Sequence, residues 1–199
     1  SYQTFYNNEG YFTRAQYDYM ERYFVSGSFR RDASSKFHPD NRWGNFWSAG
    51  AAWIVSKEDW FNFPAMNELK VKASIGSQGN DAIGSYRYTD IFKIVPSDGK
   101  ISTLFATKGN KDITWETNTN FNAGIEFGFF NNRISGGIEY FNRMTTDMLF
   151  PTPVAPSQGY SSIYKNVGDM NNYGVELDLH FVLVNSKNLS WCCIFRAKT

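Results

Sequence analysis

The sequence predicts an all-β chain, an antiparallel transmembrane β-barrel segment, and three observations predict it. Hydropathy alternates with a period of two along most of the chain. Aromatic residues are abundant in a chain that is polar on average. The links between strands sort by length onto two opposite ends of the sheet.

The alternation is clearest in four segments. In 67–76, Leu69, Val71, Ala73 and Ile75 interleave with Lys70, Lys72, Ser74 and Gly76. In 120–130, Phe121, Ala123, Ile125, Phe127 and Phe129 interleave with Asn120, Asn122, Gly124, Glu126 and Gly128. Residues 133–141 set Ile134, Gly136, Ile138 and Tyr140 against Arg133, Ser135, Gly137 and Glu139. Residues 173–183 set Val175, Leu177 and Leu179 against Gly174, Glu176, Asp178 and His180. Successive strand residues point to opposite faces, so each segment carries one apolar and one polar face. We therefore expect Leu69, Val71, Phe121, Ile125, Ile134, Val175 and Leu177 to face lipid. Lys70, Lys72, Asn122, Glu126, Arg133, Glu176 and Asp178 should face a lumen.

Composition agrees. The chain holds 18 Phe, 12 Tyr and 6 Trp among 199 residues, yet its mean hydropathy is −0.46. Its longest apolar run, Ala49 to Val55, falls short of the ~18 residues a membrane helix needs. A net charge of +1 without a basic stripe speaks against a nucleic-acid partner. The opening residues, Ser1 to Phe5, have neither the basic start nor the apolar core of a signal peptide.

The strands are expected at 11–19, 22–32, 43–56, 67–76, 116–130, 133–146, 173–184 and 188–197. Several reach ten residues, the length of a tilted membrane strand. Short links fall at Met20-Glu21, at Asn131-Asn132 and around Asn185 to Lys187, with a medium one from Lys57 to Asn67. Long links run through 33–42, 77–115 and 147–172. The long links share one end, as the extracellular loops of outer-membrane barrels do. The aromatics Tyr17, Tyr19, Tyr23, Phe127, Phe129 and Phe130 lie beside short turns, where an interfacial girdle would sit.

No residue set points to catalysis or to a resident metal or cofactor. His38 and His180 have no second ligand nearby in sequence. Asp169, Glu176, Asp178 and Glu139 could do acid–base work, but a polar lumen wall is charged in any case. The Ser34-Ser35 pair lacks an elbow motif, and Gly76 to Asp81 lacks the Lys-Ser/Thr of a phosphate loop. Ligand-binding candidates are loop residues that could stack on or hydrogen-bond to a glycan or peptide: Asn80, Asp81, Tyr86, Tyr88, Tyr160 and Tyr164.

Four longer segments carry a family resemblance: FRRDASSKFHPDNRWGNFWSAGAAWIVSKE at 29–58, LKVKASIGSQGND at 69–81, ITWETNTNFNAGIEFGFFNNRISGGIEYFNRMTTDMLF at 113–150, and NVGDMNNYGVELDL at 166–179. They resemble the SusC/RagA-type TonB-dependent outer-membrane transporters of the Bacteroidetes. The resemblance implies that 1–199 is part of a barrel of about 22 strands, located in the outer membrane. It implies a plug domain and TonB contact contributed by a preceding N-terminal region. It also implies a SusD-like surface lipoprotein as partner and import of large nutrients, oligosaccharides or peptides. The end of the chain, Cys192 to Thr199, departs from the family's alternating polar strand. A shifted or truncated reading frame is the first explanation, a segment of a longer gene the second. Two other functions fit the residues alone: a passive or adhesive outer-membrane barrel, and a soluble β-sandwich that binds or cleaves carbohydrate.

Overall fold

The computed structural model describes residues 5–97, 100–160, 162–185 and 190–199. In chain order its strands are β1 (Asn8–Tyr19), β2 (Tyr23–Ser34), β3 (Trp43–Ile54), β4 (Met66–Asn80), β5 (Ile91–Ser97), β6 (Lys100–Thr107), β7 (Glu116–Phe129), β8 (Ile134–Thr146), β9 (Leu149–Pro153), β10 (Ser162–Asn166), β11 (Met170–Asn185) and β12 (Ser190–Lys198). Eight of them form one antiparallel sheet in the order β1-β2-β3-β4-β7-β8-β11-β12, and β5-β6 and β9-β10 are separate hairpins. No helix among the described residues is long and apolar enough to cross a membrane.

All eight expected wall strands are present. The two shortest described turns fall where the sequence places them. Met20 and Glu21 both have φ of 52°, and Arg22 N–H donates to the Tyr19 carbonyl at 3.0 Å. Asn131 and Asn132 have φ of 56° and 60°, and Arg133 N–H closes on the Phe130 carbonyl at 3.3 Å. Successive left-handed residues, which in the second turn include Phe130 at φ 52°, match the twist of a hairpin. One expectation fails here: Arg133 belongs to this turn, because β8 begins at Ile134, opposite Phe129. It therefore holds no lumen-facing strand position. The link expected around Asn185 to Lys187, and the start of the last expected strand, fall on residues 186–189, outside the described residues.

Register fixes the faces. Lys72 lies opposite Gly124 and Ala52, Gly124 opposite Glu139, and Glu139 opposite Glu176. Val71, Ile125, Ile138 and Leu177 line up in the same way on the other face. A recess of about 670 Å³ opens on the polar face among Ser26, Gly50, Ala52, Lys72, Ser74 and Glu139, which makes that face the concave one. The opposite face is apolar and open, with Ile125 45%, Ile138 48% and Val175 43% exposed. A β-sandwich would bury these side chains under a second sheet, and the described residues contain none that covers them. A single curved layer, greasy outside and polar inside, is a piece of membrane barrel wall.

The closing segment is also wall. β12 pairs with β11 from Ser190 to Lys198, with one irregularity at Val182/Val184. Arg196 donates to Asp178 at 2.8 Å, and Lys198 pairs with Glu176, both on the polar face. The alternation therefore survives from Phe195 to Lys198, while Ile194, opposite His180, is an apolar residue on the polar face.

The turn end is stapled by an ion cluster. Glu58 accepts from Tyr23 Oη at 2.6 Å, from Trp53 Nε1 at 2.9 Å and from Arg22 at 3.3 Å, while Arg22 also reaches Asp59 at 3.0 Å. The Tyr23 and Trp53 donors, with the Arg22 charge, hold the Glu58 carboxyl below its ordinary range. A depressed folded-state pKa gives stability that is present above the unfolded value, about 4.3, and is lost as pH falls through the folded value. Hydrogen exchange at 55–60 should therefore accelerate as pH drops below about 4.3, beyond the intrinsic pH trend. Glu58→Gln should abolish that extra acceleration; a variant retaining it would show that another group titrates.

Gly174 is held to glycine by close approach. Phe141 is 3% exposed, lies on the concave face opposite Gly174, and a Cβ at Gly174 would meet the Thr199 carbonyl oxygen and come within 2.8 Å of the Phe141 ring. Gly174→Val should displace the ring and slow barrel assembly, read as a reduced folded fraction in heat-modifiable electrophoresis. Assembly at the parental rate would mean that the ring moves aside freely.

Candidate functional site

Two parts of the molecule can meet a ligand: the concave wall and the long loops above it. The wall carries a ladder of opposed charges. Lys70 contacts Glu126 at 3.1 Å, and Lys72 bridges Glu126 and Glu139, each at 2.9 Å. Glu139 and Glu176 lie directly opposite each other, yet Lys72 neutralises one and Lys198 the other. These carboxylates therefore form part of a charge-balanced polar wall. Small residues dominate the recess beside them, so a broad solute or an internal domain can approach the wall closely.

The long loops are not separate. Phe37, Ile83, Ile113 and Trp115 come from two of them and pack with Phe46 of β3 into one buried cluster, with Leu149 and Tyr164 of the third against it. Phe37 and Ile113 are fully buried, and the Trp115 ring lies tilted at 5.3 Å from Phe37 and edge-on at 5.4 Å from Phe46. Five of the eight buried apolar residues lie here, so the driest core of the described chain is in its loops. Residues distant in sequence supply it, and no local periodicity marks them.

Polar contacts finish the platform. Trp115 Nε1 donates to the Arg42 carbonyl at 2.9 Å, and Asn41 Nδ2 to that of Lys111 at 2.9 Å. Asn166 accepts from Thr114 N–H at 2.9 Å and donates to the Thr114 and Asp147 carbonyls at 2.9 and 2.8 Å. One amide thus ties the second loop to the third.

The six candidate residues divide by environment. Asn80 donates to Glu116 at 2.9 Å and accepts from Ala82 N–H at 3.0 Å. Asp81 accepts from Ser34 Oγ at 2.7 Å and from Tyr6 Oη at 3.1 Å, with Lys36 at 3.6 Å. Burial, and then the Asp81 charge, raise the Tyr6 phenol pKa. Tyr164 packs on the loop core beneath the Arg87 guanidinium, 4.9 Å from its ring. These three hold the platform together. Tyr88 meets the His38 ring edge-on at 5.9 Å, and Tyr160 rests on Phe105 of the β5-β6 hairpin at 5.7 Å. Tyr86 is the most open, at φ 62° on the way into that hairpin.

The hairpin itself was missing from the expected strands, although Asp98-Gly99 between two β-rich runs is a strong hairpin signal. One of its faces is apolar and open, including Phe92 57%, Ile94 75% and Ile101 82% exposed. Its stem is pinned by Asp90, which accepts from Gly109 N–H at 2.8 Å and pairs with Lys108 at 3.0 Å. Among the described residues no cluster of His, Cys, Asp and Glu is arranged to hold a metal ion.

Known proteins resemble this arrangement closely. The family model for the TonB dependent receptor-like beta-barrel matches residues 1–198. The TonB-dependent receptor SusC of Bacteroides thetaiotaomicron is 30% identical over 91% of the chain. The TonB-dependent receptor P26 of Formosa agariphila is 31% identical over 91%. The RagAB peptide importer in its closed-closed state superimposes with a TM-score of 0.87 at 29% identity over 98% of the chain. The siderophore receptor PirA of Pseudomonas aeruginosa, at 16% identity and a TM-score of 0.62, shares the fold. The chain spans 19% of the length of each of the two curated relatives, and 22% of the importer chain.

Proposed function

This chain belongs to the TonB dependent receptor-like β-barrel family, whose barrels reside in the outer membrane, and we propose that it supplies one wall sector and three loops of a receptor importing oligosaccharides or peptides. The platform carries this reading. Three loops fused by one apolar core stand over a concave, charge-balanced wall, which suits a rigid mouth above a wide polar conduit. The ligand meets the platform at its open surface, at Tyr86, Tyr88 and Tyr160, while Asn80, Asp81 and Tyr164 set its shape. A SusD-like surface lipoprotein covers the mouth and touches the apolar face of the β5-β6 hairpin. Energy arrives through TonB and a plug supplied by another part of the receptor. The relatives named as receptors and importers support transport over catalysis.

The test is deletion of 84–106 in a full-length receptor carrying this wall. Ligand capture and lipoprotein association should both fall at least tenfold, with heat-modifiable migration unchanged. Unchanged uptake with unchanged lipoprotein association would overturn the reading.

A further inference from the structure

Among the described residues of the eight-stranded sheet, the convex face holds one cation. Register assigns each residue of the eight-stranded sheet to a face, and Arg31 is the only Lys or Arg among the described paired residues that shares a face with the apolar row. It lies opposite Tyr11 on β1 and Asn45 on β3. The other wall cations point to the concave side, where carboxylates meet Lys72 and Arg196. Arg31 has no carboxylate partner among the described residues. Its guanidinium lies 4.9 Å from the centre of the Trp43 ring, and the Tyr11 ring stacks on Trp43 at 6.2 Å and 20°. The nearby Glu9 carboxylate is occupied by the Tyr11 hydroxyl at 2.7 Å.

The depth of this group follows from the aromatics. Tyr19, Tyr23 and Trp53 form a second aromatic group at the turn end, with centroids 6.4 and 6.1 Å apart. From Trp43 to Trp53 the chain runs ten residues along β3. At about 3.3 Å per residue and a tilt of about 40°, that is about 25 Å along the membrane normal, the height of a barrel's apolar band. The Tyr11–Trp43 pair therefore marks the upper membrane boundary, on the side of the long loops, and Arg31 stands at that boundary facing outward.

We propose that Arg31, Trp43 and Tyr11 form a binding site on the outside of the barrel for the phosphorylated sugar headgroup of an outer-leaflet glycolipid. A guanidinium held over a ring presents its remaining N–H groups to a phosphate. The flanking aromatic faces suit the apolar face of a sugar ring. The proposal rests on the chain being a membrane barrel wall, with its long loops outside.

The test uses the full-length receptor purified from outer membranes in mild detergent, as parent, Arg31→Gln, Arg31→Lys and Trp43→Ala. Native mass spectrometry reads retained and re-added lipid A, in phosphorylated and dephosphorylated forms. Arg31→Gln should retain about fivefold less phosphorylated lipid A, the weight of one basic residue at an anionic membrane surface. Trp43→Ala should weaken it similarly, Arg31→Lys less, and dephosphorylated lipid A should not respond to Arg31→Gln. Equal retention by parent and Arg31→Gln overturns the proposal, as does displacement of the lipid by inorganic phosphate alone. Heat-modifiable migration separates the two readings: a normal shift with unchanged lipid overturns only the site, whereas no shift in the parent overturns the barrel wall and the site with it.

Discussion

Trp115→Ala should open the loop platform while leaving the wall assembled. Trp115 touches Phe37 and Phe46, is 8% exposed, and its indole N–H holds the Arg42 carbonyl. Truncating a buried aromatic of this kind costs about 3–5 kcal/mol, and the orphaned carbonyl adds to that. The cluster has only five fully packed members, so a loss of this size exceeds what a satellite core can absorb. The sheet is held separately, by its ladders of hydrogen bonds. Amide exchange in 35–42 and 108–115 should accelerate about a hundredfold, since each ~1.4 kcal/mol is tenfold. Exchange in β3 and β7 should stay slow, and ligand capture should fall with the platform. Trp115→Phe retains most of the ring contacts and loses the N–H, so it should fall between. Protection unchanged in Trp115→Ala would show that the polar ties, chiefly Asn166 and Asp81, hold the loops without the core.

The wall was legible in the sequence because a strand writes its environment into every second residue. Leu69, Val71, Ile125 and Leu177 are outward in the structure for the reason they alternate in the sequence. Asn131-Asn132 was legible as a turn because the outward residues switch from odd to even there, whereas β1 and β2 both turn their odd residues outward across Met20-Glu21. Arg133 was misplaced by one position: it lies in the turn, and its carbonyl alone joins β11, accepting from Val182 N–H at 2.8 Å. The platform was not legible. Phe37, Ile83, Ile113 and Trp115 meet through tertiary folding of links that have no common period. Asn80, Asp81 and Tyr164 carry the groups a ligand site needs, and those same groups serve equally well to join loops. Only their hydrogen-bond partners separate the two roles. The convex cation was hidden for another reason. Arg30 and Arg31 are adjacent, and register alone tells that Arg30 turns inward to Asp32 at 2.8 Å while Arg31 turns out.

The 199-residue chain expressed alone, behind a signal peptide, should give neither a heat-modifiable monomer nor TonB-dependent uptake. The sheet runs from β1 to β12 without pairing the two to each other. Half of the backbone N–H and C=O groups of each edge strand therefore have no ladder partner, and in hydrocarbon each such group costs several kcal/mol. Water can satisfy those groups, but it would also meet the apolar convex face, with Tyr17 66% and Tyr11 61% exposed on the edge strand β1 itself. Closing eight strands on themselves is the remaining route. It requires a much tighter curvature and would press Lys72, Glu126, Glu139 and Glu176 into a lumen that side chains fill, leaving no conduit. Strand edges left open recruit other chains, so the expected product is an aggregate in detergent, or a sheet that inserts only beside complementary strands. Supplying the remaining wall as a second polypeptide should restore the heat-modifiable species, because it pairs both edges at once. A monomer of the 199 residues that shifts on heating and supports uptake would overturn this expectation, and with it the view that β1 and β12 are seams within a larger barrel.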